Sequence, residues 1–185
     1  MQIDIKLEIE NGFKDRLGDL VKVFRSTVDL SGDFVWIEPG DYKIDIGYKK
    51  CLLGACSRFY KDFDEFIHRL KQTRFSVNKI KQGISLYRSD MLYFSLGDKA
   101  DVLREMAEVL AKKFNVVITH PFVPRITIGY SRLNYGASTV SNISRLINTF
   151  NRELAESNFD PEFKISSVNF VNKKNQKLLR KLSVS

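Results

Sequence analysis

The chain opens with alternation: Ile3, Ile5, Leu7 and Ile9 are separated by polar neighbours, the mark of a strand with one buried face. Asn11-Gly12 breaks that pattern. Phe13, Leu17, Leu20, Val21 and Phe24 then recur at the spacing of an amphipathic helix. A turn at Ser31-Gly32-Asp33 leads to a strand over 34–37, a turn at Glu38-Pro39-Gly40-Asp41 and a strand over 42–48. Phe63, Phe66, Ile67 and Leu70 predict a helix over 62–72. Strands follow over 76–87 and 91–96, around a Ser89-Asp90 turn. Gly97-Asp98 caps a helix over 99–114 whose apolar set is Val102, Leu103, Met106, Val109 and Leu110. Beyond it come a brief apolar stretch at 116–118, two prolines (Pro121 and Pro124) and a strand over 125–130. A helix over 138–156, capped by Ser138 or Thr139, and a strand over 163–171 close the order. Helices mixed with hairpin-connected strands predict an α+β fold with largely antiparallel sheets.

With 185 residues the chain fits one domain, and 43% hydrophobic against 28% charged residues excludes wholesale disorder. Its apolar runs fall far short of the ~20 residues a membrane span needs, and the N-terminus lacks the apolar stretch of a signal peptide. Two cysteines, Cys51 and Cys56, are too few for a disulfide framework and read as small core or loop residues. An intracellular, cytoplasmic protein with no membrane partner is expected. Thirty basic residues against twenty-two acidic ones give +8, a balance that favours anionic partners, nucleic acid first. Six of the basic residues, and no acidic ones, lie in 163–185, which leaves the first 162 residues at +2.

One segment echoes another. Tyr42-Lys-Ile-Asp-Ile-Gly-Tyr48 and Pro124-Arg-Ile-Thr-Ile-Gly-Tyr130 share a pattern, and each follows a proline-containing turn. Strand alternation aims Lys43, Asp45 and Gly47 one way, and Arg125, Thr127 and Gly129 likewise. The echo predicts a duplicated lobe.

These residues resemble the two-histidine (2H) phosphoesterase superfamily, which includes RNA 2′,3′-cyclic phosphodiesterases and bacterial 2′,5′-RNA ligases. Its members carry two His-x-Thr/Ser motifs on strands of two pseudo-symmetric lobes. The first follows a Trp-containing strand and a proline turn, here Val35-Trp-Ile-Glu-Pro39, and falls on Lys43-Ile-Asp45. The second sits in Pro-Phe-x-Pro-His-x-Thr-x-Gly, here Pro121-Phe-Val-Pro-Arg-Ile-Thr-Ile-Gly129. The resemblance implies two pseudo-symmetric lobes of antiparallel sheet with outer helices around a central cleft. They would form one bilobal domain over 1–172, followed by a basic C-terminal tail over 173–185.

Both motif histidines are missing: Lys43 and Arg125 stand in their places, and Asp45 replaces the first Thr. In the family one histidine is the general base and the other the general acid, roles that need a group titrating near neutrality. Lysine, with an ordinary pKa of ~10.4, and arginine, effectively always charged, do not meet that need. His68 reads as a helix-surface or half-buried residue and His120 as a solvated loop residue. No spacing suits a metal, no Gly-rich loop cradles a phosphate, and no cofactor is expected.

The preferred reading is a catalytically silent protein that binds RNA or a nucleotide phosphate between the lobes. Lys43, Arg125 and Thr127 would hold the phosphate, Tyr48, Tyr130 or Tyr135 would stack a base, and Lys173 and Lys174 would contact flanking phosphates. One alternative closes the cleft with a Lys43-Asp45-Arg125 ion cluster and moves function to a protein interface. Another retains activity as a divergent cyclic phosphodiesterase, with Asp45 as base, Lys43 as acid and Thr127 beside them.

Overall fold

The structure is a computed structural model and describes residues 1–27, 34–51, 59–60, 63–84, 90–118, 122–131 and 137–184. In chain order its elements are β1 (Gln2–Ile9), α1 (Asn11–Thr27), β2 (Phe34–Trp36), a 3-10 turn (Pro39–Asp41), β3 (Lys43–Lys50), α2 (Asp64–Gln72), β4 (Phe75–Ile84) and β5 (Asp90–Leu96). They continue with α3 (Ala100–Phe114), β6 (Arg125–Ser131), α4 (Ala137–Glu156), β7 (Glu162–Phe163), β8 (Ile165–Asn172) and β9 (Leu178–Ser183). The strands form a four-stranded antiparallel sheet, β3-β1-β8-β9, and a five-stranded one, β2-β6-β5-β4-β7.

The two halves of the chain repeat one another and trade parts. β1-α1-β2-β3-α2-β4 is followed by β5, α3, the segment around Val117, then β6, α4 and β8. β1 pairs with β3 as β5 pairs with β6. The short strand β2 crosses to pair with β6, while Val117 crosses the other way to bridge Tyr48 of β3. β4 joins the second sheet beside β5, and β8 joins the first beside β1.

Helices cross too. Phe13 of α1 stacks on Phe163 of β7 at 4.8 Å, and Phe24 meets Phe150 of α4 at 4.9 Å and Trp36 of β2 at 6.2 Å. α1 therefore covers the second sheet although it follows a strand of the first. On the first sheet, Phe59 links Phe114 of α3 to Phe170 of β8, with ring centroids 5.7 Å away in each case. Because each half lends a helix and two strands to the other, one apolar core runs through both lobes, from Ile3, Ile5 and Leu7 to Ile126 and Ile128.

Where the chain crosses between sheets, a buried clasp holds it. Lys14 of α1 donates from Nζ to Glu8 Oε2 at 2.8 Å and to the Gly40 carbonyl at 2.9 Å, tying α1, β1 and the 3-10 turn together. Gly18 lets the turn approach: a Cβ there would fall 2.5 Å from the Pro39 ring.

Several expectations change. The strands at 34–36 and 43–50 are not a hairpin; the Pro39 turn carries the chain from one sheet to the other. The last strand is two, β7 in the second sheet and β8 in the first, for the same reason. Asn11 begins α1 rather than only ending β1, since the Glu10 carbonyl accepts from the Phe13 and Lys14 amides. Lys99 is the N-cap of α3 and makes no side-chain cap bond, and on that helix Ala107 is buried where Val109 is exposed. Cys51 is buried and disulfide-bonded. The chain's other cysteine, Cys56, lies outside the described residues, as do Ser31-Gly32-Asp33, Asp62, Tyr87, Ser89, His120, Pro121 and Tyr135.

The basic segment after 172 folds back onto the first sheet. Asn172 Oδ1 accepts from the Lys174 amide at 2.9 Å and Asn175 Oδ1 from the Lys177 amide at 3.1 Å, which folds the chain back. β9 then pairs with β8 as the edge of the first sheet, while Leu182 and Val184 reach the core.

Candidate functional site

The two echoed segments are β3 and β6, and their likeness extends to an irregularity. Ile5 pairs with Gly47 and Lys6 with Asp45, so Ile46 is an extra residue in the ladder. Leu92 pairs with Gly129 and Tyr93 with Thr127, so Ile128 is extra at the matching place. Such a bulge shifts the alternation by one residue. Tyr48 and Tyr130 therefore share the faces of Asp45 and Thr127, which simple alternation would not give. Gly47 also admits the crossing segment: Tyr48 and Val117 exchange amide–carbonyl bonds of 3.0 and 2.7 Å, and a Cβ at Gly47 would lie 2.4 Å from the Val117 oxygen.

Away from the core, β3 presents Lys43 and Asp45, and β1 presents Glu8, Lys6 and Asp4 beside them. From the second sheet β6 presents Arg125 and Thr127 opposite Ser95 and Tyr93. β3 and β6 approach with Cα atoms within 8 Å, and the Arg125 charge acts on Asp45 between the two strands. Arg125 lies over the Tyr93 ring, its guanidinium carbon 5.3 Å from the centroid.

Asp45 is the focus of the charges. Loss of hydration pushes its carboxyl above the usual range, against the pull of Lys6, Lys43 and Arg125 and with the push of Asp4. Asp45 is exposed on this face, within electrostatic reach of Lys6, Lys43, Asp4 and Arg125. Lys6, unlike Lys43, is almost wholly buried. Burial, then the neighbouring Lys43 ammonium, lowers its pKa from the ordinary lysine value. It donates from Nζ to Gln176 Oε1 at 2.9 Å, reaching the turn before β9. Among the described residues, no ion pair within 4.0 Å joins Asp45 to Lys43, Lys6 or Arg125, so the closed Lys43-Asp45-Arg125 cluster is not formed.

The other candidate residues divide. Lys173 sits at the edge of this face, its Nζ 5.0 Å from the Tyr48 ring centroid, so that ring face meets an ammonium. Lys174 is exposed in the turn beyond. His68 is exposed on α2, its Nε2 3.0 Å from Gln72 Nε2 and far along the chain from either motif strand. Among the described residues no group of three or more His, Cys, Asp or Glu is arranged to hold a metal. Among the described residues no helix is long and apolar enough to cross a membrane. Sequence reasoning missed Lys6, Asp4 and Gln176. The alternation of Asp4, Lys6 and Glu8 marks a polar face, but only the pairing of β1 with β3 says what that face adjoins.

No family model and no curated protein matches the chain in sequence. Solved structures match in fold. TT0787 of Thermus thermophilus superposes with a TM-score of 0.58 at 13% identity, covering 100% of this chain and 98% of that one. Usb1 of Kluyveromyces marxianus, solved with uridine monophosphate, gives 0.56 at 11% identity over 98% of this chain and 97% of its own. A second structure of that Usb1 gives 0.53 at 11% identity. The fold is the two-lobed 2H phosphoesterase-like one, with antiparallel sheets and outer helices.

Proposed function

We propose that the chain binds RNA or a nucleotide phosphate between its lobes without catalysing phosphoryl transfer. The observation that carries this reading is the matched placement of Lys43 and Arg125 on two equally bulged strands, neither ion-paired among the described residues. A guanidinium held over the Tyr93 ring offers two parallel N–H donors to phosphate oxygens, Lys43 adds a point charge and Thr127 a hydroxyl donor. Tyr130 stands on the same face for a base, and Lys173 and Lys174 flank the site. That a protein of this fold holds uridine monophosphate supports the ligand class.

Asp45 makes the reading testable through pH. Its carboxylate repels a phosphodiester, which stays ionised down to very low pH, and its raised pKa means it protonates above the usual carboxylate range. Affinity for a short single-stranded RNA is therefore expected to rise as pH falls from 7 towards 4. Asp45→Asn should bind roughly tenfold tighter at pH 7, well under the ~4 kcal/mol of two like charges 4 Å apart at an effective dielectric of 20, because water enters the cleft. The variant should also lose the rise on acidification. Fluorescence anisotropy over that range checks both; a wild-type affinity indifferent to pH and to Asp45→Asn contradicts the site.

One observation favours a second reading, a divergent cyclic phosphodiesterase. The Asp45 carboxyl is shifted up and the Lys6 ammonium down, the directions an acid–base pair requires. In it Asp45 takes a proton from the water that attacks the cyclic phosphate, and Lys6 or Lys43 supplies one to the ribose oxygen that leaves.

A further inference from the structure

We propose that the phosphate site continues out of the cleft, across the open face of the first sheet to the β8–β9 hairpin, and that its ligand is a single-stranded oligonucleotide rather than a mononucleotide. The inference rests on the cleft reading above. Cross-strand pairs place Asp45 beside Lys6, Lys6 beside Asn169 and Asn169 beside Lys181, in one row from β3 to β9. Paired residues share a face, and three inter-strand steps carry the row about 14 Å. Its only acid is at the cleft end.

The far end is unusually cationic. From Lys173 to Lys181 the hairpin carries Lys173, Lys174, Lys177 and Lys181 on the turn and this face and no carboxylate, while Arg180, paired with Phe170, lies on the core side over the Tyr60 ring. Among the described residues none of the four lysines forms an ion pair, whereas Arg16, Arg25, Arg69, Arg74, Arg104 and Lys112 each face a carboxylate elsewhere on the surface. Unneutralised charge gathered at this end complements a chain of phosphates, and one nucleotide held at Arg125 does not reach it.

The hairpin is also fastened to the cleft. Gln176 accepts from Lys6 and donates from Nε2 to the Lys173 carbonyl at 3.0 Å, the Lys173 amide donates to the Gln2 carbonyl at 3.0 Å, and Lys173 caps the Tyr48 ring. Gln176 holds a left-handed backbone, φ 55°, a conformation that costs a non-glycine residue free energy and persists where its surroundings fix it. β9 takes the edge beside β8 that the two-residue β7 takes beside β4, but it runs six residues and most of its side chains are exposed. A strand whose end phosphate lies between Lys43 and Arg125 is led over this face as a single strand.

Uridine monophosphate and oligouridylates of two, four and eight nucleotides, titrated into the wild type and into Lys177→Gln/Lys181→Gln, test this. Both positions are exposed and make no ion pair among the described residues, so circular dichroism and the melting temperature should be unchanged. Affinity should climb at least tenfold from the mononucleotide to the octamer. The double variant should lose most of that gain, keep uridine monophosphate binding and flatten the slope of log K against log salt by about 1.4, near 0.7 for each phosphate no longer neutralised. An octamer no tighter than the mononucleotide, one indifferent to the double variant, or one outcompeted by polyglutamate of equal charge overturns the extension and leaves the cleft reading standing. Wild-type protein that binds neither ligand overturns the cleft reading, and the extension with it.

Discussion

Arg125→Ala is expected to weaken binding of a short single-stranded RNA by roughly tenfold to a hundredfold at low salt, from the 1.5–3 kcal/mol of hydrogen bonds to charged groups. The cause is geometric as well as electrostatic. Arg125 lies over the Tyr93 ring on the face shared with Thr127, a contact that restricts its guanidinium before a phosphate arrives. Arg125→Lys keeps the charge, loses the paired donors and should recover only part of the affinity. In Arg125→Ala the salt dependence should fall by the share of one neutralised phosphate, ~0.7 in slope. Folding stability should hardly move, since an exposed cation–π contact is worth about 0.5–1 kcal/mol. Anisotropy titrations at two salt concentrations, with a melting curve for each variant, check all of this. Unchanged RNA affinity in a folded Arg125→Ala protein contradicts the site.

The largest effect on stability belongs to Lys14→Met. Lys14 is buried with its charge satisfied by Glu8 and the Gly40 carbonyl, and removing one partner of such a pair costs about 3–5 kcal/mol. Glu8 keeps a quarter of its side-chain surface in water, which places the loss near the lower end, about 3 kcal/mol. For a chain of this size that corresponds to a fall of about 10 °C in melting temperature. Glu8→Gln in the same background relieves the stranded carboxylate and should restore part of the loss. Thermal and urea unfolding check both variants. A Lys14→Met protein as stable as the wild type would show that the clasp does not hold the crossing between sheets.

How far the chain could be read follows from which features are local. The echoed strands were legible because seven residues decide a strand, its buried Ile pair and its polar face together. Ile44, Ile46, Ile126 and Ile128 are all in the core as that pattern requires. The exchange of β2, β4 and β8 between halves was not legible, because strand pairing is chosen by partners scores of residues away. The matching bulges at Ile46 and Ile128 likewise exist only in the pairing. Lys6 stood in plain view on a polar face, yet its hydrogen-bond partner is Gln176, 170 residues on. β9 was hidden by its own charge: Lys177, Arg180 and Lys181 mask an alternation in which only Leu182 and Val184 reach the core.

At the centre of the account is a division of labour in which fixed cations grip a phosphate that no neighbouring group converts. The most direct trial is phosphorus NMR of uridine 2′,3′-cyclic monophosphate with the protein at neutral pH. The account predicts a resonance that shifts and broadens on binding, returns on adding salt and shows no opened monophosphate after hours. Steady conversion to the ring-opened product, abolished by Asp45→Asn, would contradict it and establish the divergent phosphodiesterase in its place.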